Sequence, residues 1–175
     1  ADKAVSESRE RVQSALAAMG LALPPKRITV NLSPADLPKD GSHYDLPIAL
    51  AMMAAIGAMP VDALDGIVCF GELGLDGSLA PAPGALPAAM AAHSMDAAFV
   101  CPEACGAEAA WAGGEVIAAP SLLSLINHFR GGAAIKPPER GDLVSAEAAP
   151  DLRDVRGQEQ AKRALEIAAA GAHNI

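Results

Sequence analysis

Two apolar periodicities alternate along residues 6–129, and this alternation constrains the fold more than any other feature of the chain. Apolar residues three or four apart predict helices, while alternating or short continuous apolar runs predict strands. The predicted helices cover residues 6–19, 45–58, 86–95, 103–111 and 121–129. The predicted strands cover residues 27–33, 67–73 and 97–100, with short ones near Leu79 and Val116. This order predicts an α/β (α+β) layered domain with a mixed sheet and packed helices.

Turn and cap signals separate these elements. Gly20 and the Pro24-Pro25 pair are predicted to end the first helix. Asp45 is predicted to cap the second helix, because a side-chain carboxylate there can accept from free backbone amides. The Asp76-Gly77 pair predicts a hairpin with a type I′ turn, which needs positive φ at both central residues.

Residues 131–150 are rich in glycine and proline and poor in large apolar residues, so they are interpreted as a linker. The predicted organisation is therefore a domain at 1–130, a linker at 131–150 and a further segment at 151–175. That segment contains a predicted helix at residues 159–170. A 25-residue element cannot bury its own apolar face, so we interpret it as the start of a second domain.

The formal net charge is −8, and residues 1–130 contain 7 basic and 14 acidic side chains. Because nucleic-acid binding depends largely on basic surface, this balance argues against residues 1–130 as the principal DNA grip. A local patch at Lys26 and Arg27, or at Arg9 and Arg11, is the alternative. The favoured interpretation is that these basic residues are solvated charges that flank apolar stripes.

Cys69, Cys101 and Cys105 lack the paired spacing of a tetrahedral zinc site, so buried reduced thiols and no metal are expected. The longest apolar run, residues 46–60, falls short of the roughly 20 residues that a membrane span needs. Residues 1–20 form a charged amphipathic segment rather than a signal peptide. A soluble, cytoplasmic chain with no membrane partner is therefore expected.

Two polar motifs carry the strongest functional signal. The first spans residues 34–50, and the second spans residues 71–81. Together they resemble the proteolytic domain of Lon proteases, in which a Pro-Lys-Asp-Gly-Pro-Ser-Ala-Gly segment supplies the nucleophile and a Gly-Glu segment precedes the lysine base. The resemblance implies a Lon-protease-like domain of the ribosomal protein S5 domain 2-like type. The motif positions kept as candidate interaction residues are Lys39, Asp40, Gly41, Ser42, His43, Asp45, Gly71 and Glu72.

In register with Lon, the serine position falls on His43 and the lysine position on Leu86. Neither chemical group is present, and no lysine occurs between Lys39 and Lys136. A Ser–Lys dyad needs an amine within hydrogen-bond reach, so no catalytic residue is predicted. Ser42 and His43 with Asp40 or Asp45 as the acid is a disfavoured substitute, because adjacent residues on a turn usually point apart.

The Lys-Asp-Gly-Ser-His-Tyr-Asp wording of the first motif, the opening residues 2–12, the stretch at 125–129 and the closing stretch at 151–174 resemble a narrower family. This is the Mg-chelatase-like AAA+ ATPases of the ComM and YifB type. In that family a Gly-His-Asn stretch, here with Ala172 before His173, leads into a Walker A loop. No such loop occurs in this chain, so ATP and Mg²⁺ are expected only in the intact protein. By analogy with AAA+ proteins, Val155, Gly157 and Gln158 would border its adenine pocket.

The family resemblance implies a non-catalytic accessory domain of a hexameric ATPase, with its own AAA+ domain and sister subunits as partners. It implies that the intact protein acts on DNA as a branch-migration helicase in natural transformation. The alternatives are an ATPase subunit of a magnesium chelatase-like complex and, less favoured, a residual Lon-like peptidase. The family also has strands upstream of Ala1, so an open sheet edge is expected here. Such an edge favours dimers or swapped assemblies.

Overall fold

The computed structural model describes residues 3–21, 23–25, 27–34, 36–37, 39, 41–142 and 151–174. The chain forms two compact units, Ala1–Gly141 and Asp142–Ile175.

In its described part, the first unit contains five α-helices and five strands. The helices are α1 (Lys3–Ala18), α2 (Asp45–Ala55), α3 (Ala85–Ser94), α4 (Glu103–Ala109) and α5 (Leu122–Phe129). The strands are β1 (Ile67–Cys69), β2 (Glu72–Leu73), β3 (Leu79–Ala80), β4 (Ala98–Pro102) and β5 (Val116–Ala119). Short 3-10 turns lie at Asp62–Leu64 and Ala110–Ala112. All five predicted helices are confirmed, with bounds shifted by at most three residues.

A three-stranded parallel sheet in the order β1-β4-β5 lies at the centre of the first unit. Phe99 on β4 is in register with Val68 on β1 and with Val116 on β5. Parallel neighbours need crossover connections, and α3 and α4 lie in the chain segments that join β1 to β4 and β4 to β5. The predicted strands at 97–100 and near Val116 are therefore confirmed.

The two faces of the parallel sheet bury two separate apolar clusters. Alternate residues of β4 and β5 point to opposite faces, so Phe99 and Val116 join the cluster formed with α3 and α4. Val100 and Ile117 join the cluster formed with α1, α2 and α5. The first cluster consists largely of alanine, and small side chains allow α3 and α4 to lie close to the sheet.

The prediction of a strand at residues 27–33 is wrong, since none of these residues is assigned to a strand. Ile28 and Val30 are 39% and 43% exposed, so they do not form the predicted half-buried face. A strand exists only when a neighbouring strand accepts its hydrogen bonds, and the alternating pattern cannot supply that neighbour. The predicted mixed sheet is likewise two sheets in the described residues, one parallel and one antiparallel.

The second sheet is the predicted hairpin, formed by β2 and β3. Its turn is not type I′, because within residues 74–78 only Gly77 has positive φ, at 86°. The Gly74 amide donates to the Ser78 carbonyl at 2.8 Å, which closes a three-residue loop. Such loops end on a left-handed residue that is usually glycine. The Asp-Gly signal therefore predicted the hairpin correctly and its turn type incorrectly. The predicted strand at 67–73 is split into β1 and β2.

Residues 132–141, which we call the arm, lie against α4 and α5 within the first unit. The Gly132 amide donates to the Asn127 carbonyl at 2.8 Å, and the Ile135 amide donates to Nδ1 of His128 at 3.1 Å. At the far end of the arm, the Gly141 amide donates to the Ala107 carbonyl at 3.0 Å. The first part of the predicted linker is thus attached to α4 and α5, while residues 143–150 lie outside the described residues.

The second unit contains a 3-10 turn at Leu152–Asp154 and helix α6 (Glu159–Ala170), which confirms the predicted helix. Ile167 is 55% exposed and Leu165 is 39% exposed, so the apolar side of α6 is only partly covered. Among the helices of the described residues, none combines the length and the apolarity that crossing a bilayer requires.

Candidate functional site

The turn at residues 41–44, just before α2, lies against the segment that enters β2. The Gly71 amide donates to the His43 carbonyl at 3.1 Å, and the Leu46 amide donates to the Gly71 carbonyl at 3.1 Å. A Cβ atom at Gly71 would lie 2.8 Å from Cγ and Cδ of Pro102 at the end of β4. Only glycine allows this approach, so the two sequence motifs meet at Gly71.

Asp45 is fully buried and does not act as the predicted helix cap. Tyr44 occupies the cap position. The Asp45 carboxylate instead accepts from Arg11, with Nε at 2.5 Å from Oδ2 and Nη2 at 3.0 Å from Oδ1. The Leu73 amide also donates to Oδ2, at 3.3 Å. A buried carboxylate needs a charged or hydrogen-bonding partner, and here it receives both kinds from α1 and β2. The cap prediction is therefore wrong.

Arg11 is a site residue that sequence reasoning assigned only to a possible surface patch. The hydrogen bond to Asp45 raises the pKa of the Arg11 guanidinium above its ordinary value. This effect outweighs burial, which acts in the opposite direction. Its Nη2 also lies 3.4 Å from the hydroxyl of Ser8, which is buried. Ser8 precedes Val12 by one helical turn, so a polar residue on the apolar stripe of α1 indicated a buried polar contact on this helix without indicating Asp45 as the partner.

Among the described residues, Ser42 and His43 are not hydrogen-bonded to each other, and each contacts another partner. The Ser42 hydroxyl donates to Oε2 of Glu72, the second residue of the other motif. The His43 ring stacks on Phe70, with centroids 5.4 Å apart and planes 17° apart. It also lies 4.1 Å from the Tyr44 ring. The neighbour of the serine is therefore a carboxylate, and the imidazole is held by aromatic contacts.

The remaining positions of the two motifs are placed as follows. Gly41 has φ of 88°, the left-handed conformation that a tight turn before the helix requires. Lys39 is buried, and its Nζ donates to the carbonyls of Pro34 and, at 2.8 Å, Leu37. Asp40 lies outside the described residues. Leu86 occupies the position of the Lon lysine. Its backbone amide donates to Oε1 of Glu108 on α4 at 3.1 Å.

The cysteines lie in and beside the parallel sheet, and the structure contains them as free thiols. Cys101 and Cys105 are buried as predicted, and Cys69 is half-buried. Burial raises the pKa of both Cys69 and Cys101 to about 12, because it disfavours the thiolate. Over the described ranges, no three His, Cys, Asp or Glu residues come together as metal ligands would.

The three positions that the resemblance to AAA+ proteins places at an adenine pocket lie in the second unit. Gly157 and Gln158 precede α6 with φ of 73° and 58°. These two residues and Val155 are all exposed. Gln158 has left-handed backbone geometry that non-glycine residues adopt uncommonly.

The fold and site define a class: an α/β domain whose motif residues are joined by hydrogen bonds across α1, α2 and β2, followed by a separate helical unit. Two family models match the chain. The one described as "Subunit ChlI of Mg-chelatase" covers residues 1–105, and the one described as "Magnesium chelatase, subunit ChlI" covers residues 151–175. The chain therefore belongs to the Mg-chelatase-like family that includes YifB and ComM, as the similarities below also show.

YifB of Escherichia coli is 42% identical over 172 residues, which are 98% of this chain and 34% of YifB. A Mycobacterium tuberculosis protein is 40% identical over 176 residues, 99% of this chain and 35% of that protein. The competence protein ComM of Haemophilus influenzae is 37% identical over 182 residues, 99% of this chain and 35% of ComM. The chain thus spans about a third of the length of these curated relatives.

Proposed function

We propose that residues 1–130 form a Lon-protease-like domain, of the ribosomal protein S5 domain 2-like type, that performs no peptide hydrolysis. The observation that carries this proposal is the contact of the Ser42 hydroxyl with Glu72. The Lon mechanism pairs its serine with a lysine amine as the base, whereas the partner of Ser42 is a carboxylate. Lys39 donates to two carbonyl oxygens within its own loop and so is not a free amine.

A hydrolysis assay tests this part of the proposal. The chain is incubated with casein and with a fluorogenic peptide, beside an active Lon protease as the positive control. We expect no hydrolysis above the buffer blank and no difference between the parent and Ser42→Ala. Turnover that Ser42→Ala abolishes would overturn the non-catalytic assignment and restore the residual-peptidase alternative.

We further propose that the chain acts within a longer, hexameric AAA+ ATPase of the ComM and YifB type in the cytoplasm. Support comes from the family membership and from the name of the Haemophilus influenzae relative, a competence protein. Val155, Gly157 and Gln158 would border the adenine of ATP, which is bound with Mg²⁺ by residues outside this chain. The motor would move DNA branches during natural transformation and recombination. The acidity of residues 1–130 favours protein contacts over a DNA grip for this domain.

The test compares the full-length protein with a version that lacks residues 1–130. ATPase stimulation by single-stranded and forked DNA, and hexamer formation, are measured in the same preparations. We expect the deletion to reduce DNA stimulation or ring assembly while the basal ATPase activity survives. Unchanged values for both properties would show that the domain is not an accessory of the motor.

A second candidate function rests on the names of the two matching family models, which describe a subunit of magnesium chelatase. In this alternative the full-length protein drives metal insertion into a porphyrin. Incubation with protoporphyrin, ATP and Mg²⁺ separates the two candidates, because metal insertion changes the absorption spectrum of the porphyrin. Metal insertion without any DNA response would favour the chelatase alternative.

A further inference from the structure

The arm is attached to the rest of the first unit in the way that an extended peptide is attached to a receptor. Residues 134–141 have no regular secondary structure. The consecutive prolines Pro137 and Pro138 fix φ at about −65°, which favours an extended chain. Among the described residues, no backbone hydrogen bond joins one arm residue to another. The arm therefore takes its conformation from its prolines and from its contacts with α4, α5 and the turn at 110–112.

A notch on α4 receives Pro138. A Cβ atom at Gly106 would lie 3.0 Å from Cβ of Pro138 and 2.7 Å from Cβ of Ala118 on β5. Glycine inside a helix is less favourable than alanine. At this position it provides the space that the proline ring and β5 need against α4. The notch therefore fits a proline of the arm.

The next contact is made by the end of α4 and the indole of Trp111. The Gly141 amide donates to the Ala107 carbonyl at 3.0 Å, in the last turn of α4, where helix carbonyls need partners outside the helix. The Trp111 indole donates to the Gly141 carbonyl at 3.1 Å. The Arg140 guanidinium lies 5.4 Å from the centroid of the Trp111 ring. Main-chain hydrogen bonds combined with a side-chain pocket and an arginine–aromatic contact are typical of peptide recognition.

Charge and shape suit this surface to a basic peptide. The arm has two basic side chains and one acidic one, whereas residues 1–130 have 7 basic and 14 acidic side chains. Opposite charges of this kind favour association. A cleft of about 250 Å³, bordered by Glu115, lies between Pro137 and Pro138 of the arm and residues 110–116. The arm thus covers the surface without filling it.

We propose that the surface formed by α4, the turn at 110–112 and β5 is a peptide-recognition site, which the arm occupies in cis as an autoinhibitory contact. Its ligand class is an extended basic peptide in which an arginine follows a proline by two residues. A partner protein that presents such a segment displaces the arm and binds in its place. This inference goes beyond the proposed function and does not rest on it.

Fluorescence of Trp111, the single tryptophan, tests the proposal in the full 175-residue chain. The titrant is an end-blocked peptide with the sequence of residues 133–142. Pro138→Gly/Arg140→Ala, which we call the undocked variant, removes two arm side chains and leaves the recognition surface unchanged. We expect it to bind the peptide saturably with a dissociation constant below roughly 1 mM, because a short tether holds the arm at about millimolar effective concentration. The parent chain should need at least about tenfold more peptide, because its own arm competes.

The matched control for the undocked variant is Lys136→Ala/Glu139→Ala. It changes two exposed arm residues of opposite charge, so it should bind the peptide as weakly as the parent does. A peptide that carries Pro138→Gly and Arg140→Ala should bind neither the parent nor the undocked variant.

Proteolysis shows whether the bound peptide displaces the arm. Glu-C protease cleaves after Glu139, and a Glu139→Gln version of the peptide is not cleaved there. At saturating peptide, we expect cleavage of the parent at Glu139 to be at least about tenfold faster, because cleavage follows the population of the released arm. The proposal would be overturned by a lack of saturable binding to the undocked variant, by equal affinity for the parent and the undocked variant, or by binding without faster cleavage.

Discussion

Removal of Arg11 should destabilise the first unit more than neutralisation of its partner Asp45. Asp45 is 0% exposed, whereas the Arg11 side chain is 22% exposed and lies 3.9 Å from Glu7. Arg11→Met leaves a buried carboxylate with one backbone amide, at 3.3 Å, as its remaining donor. Breaking a buried pair in this way costs about 3–5 kcal/mol.

Asp45→Asn has a smaller expected cost because the orphaned guanidinium can still reach water. The asparagine oxygen can also accept from the Leu73 amide. The change then amounts to the loss of charge-assisted hydrogen bonds, about 1.5–3 kcal/mol. We therefore expect Arg11→Met to lower the free energy of unfolding by roughly 1–2 kcal/mol more than Asp45→Asn, as the difference between these two ranges.

Urea unfolding followed by the fluorescence of Trp111, the single tryptophan, reports on the first unit alone. The matched control is Arg9→Met, which removes an exposed arginine from the same helix and should change stability by less than about 0.5 kcal/mol. If Arg11→Met were no more destabilising than Arg9→Met, the ion pair would contribute nothing net. If Asp45→Asn were the more damaging change, the argument from unequal exposure would be refuted.

The Ser78 hydroxyl, and then its amide, lower the pKa of Asp76, so Ser78→Ala should raise that pKa in an NMR titration. The lowered pKa means that the Asp76–Ser78 hydrogen bonds stabilise the hairpin above the ordinary Asp pKa, and that this stabilisation is lost as pH falls through the lowered value. An unchanged Asp76 pKa in Ser78→Ala would show that Ser78 does not lower it. Cys101, with its pKa raised to about 12, should be alkylated on the order of a thousandfold more slowly in the folded chain than in urea near pH 8. Equal rates would show that it is not buried. Gly71→Ala should lower the free energy of unfolding by about 1–3 kcal/mol, because the alanine Cβ would lie 2.8 Å from Pro102. An unchanged urea midpoint would show that the Cβ is accommodated without strain.

The helices and two central strands were predictable because each carries its own periodicity. Residues 27–33 carry an equally clear alternation and still form no strand in the described fold. Strand formation depends on a neighbour that a local pattern does not specify. The hairpin at Asp76-Gly77 was predictable for the opposite reason, since a turn is a local structure, although the loop length that selects its type was not.

The candidate site was predictable as a set of motifs and not as a set of contacts. Gly71 and the turn at 41–44 were identified, and the structure joins them. The Arg11–Asp45 pair spans 34 residues of sequence, so no local spacing indicates it. The partner of Ser42 proved to be Glu72, 30 residues away, for the same reason. Pairing between distant side chains depends on the packed fold, which periodicity alone does not provide.

The arm determines where tension on the chain enters the first unit. A pull on residue 142 falls first on the Gly141–Ala107 hydrogen bond and on Trp111, whose indole donates to the Gly141 carbonyl at 3.1 Å while the Arg140 guanidinium lies 5.4 Å over its ring. Both anchors belong to α4 or the turn that follows it, and α4 continues directly from Pro102 at the end of the central strand. Load that passes through these two anchors therefore reaches α4 and, through Pro102, the end of the central strand and the Gly71 junction.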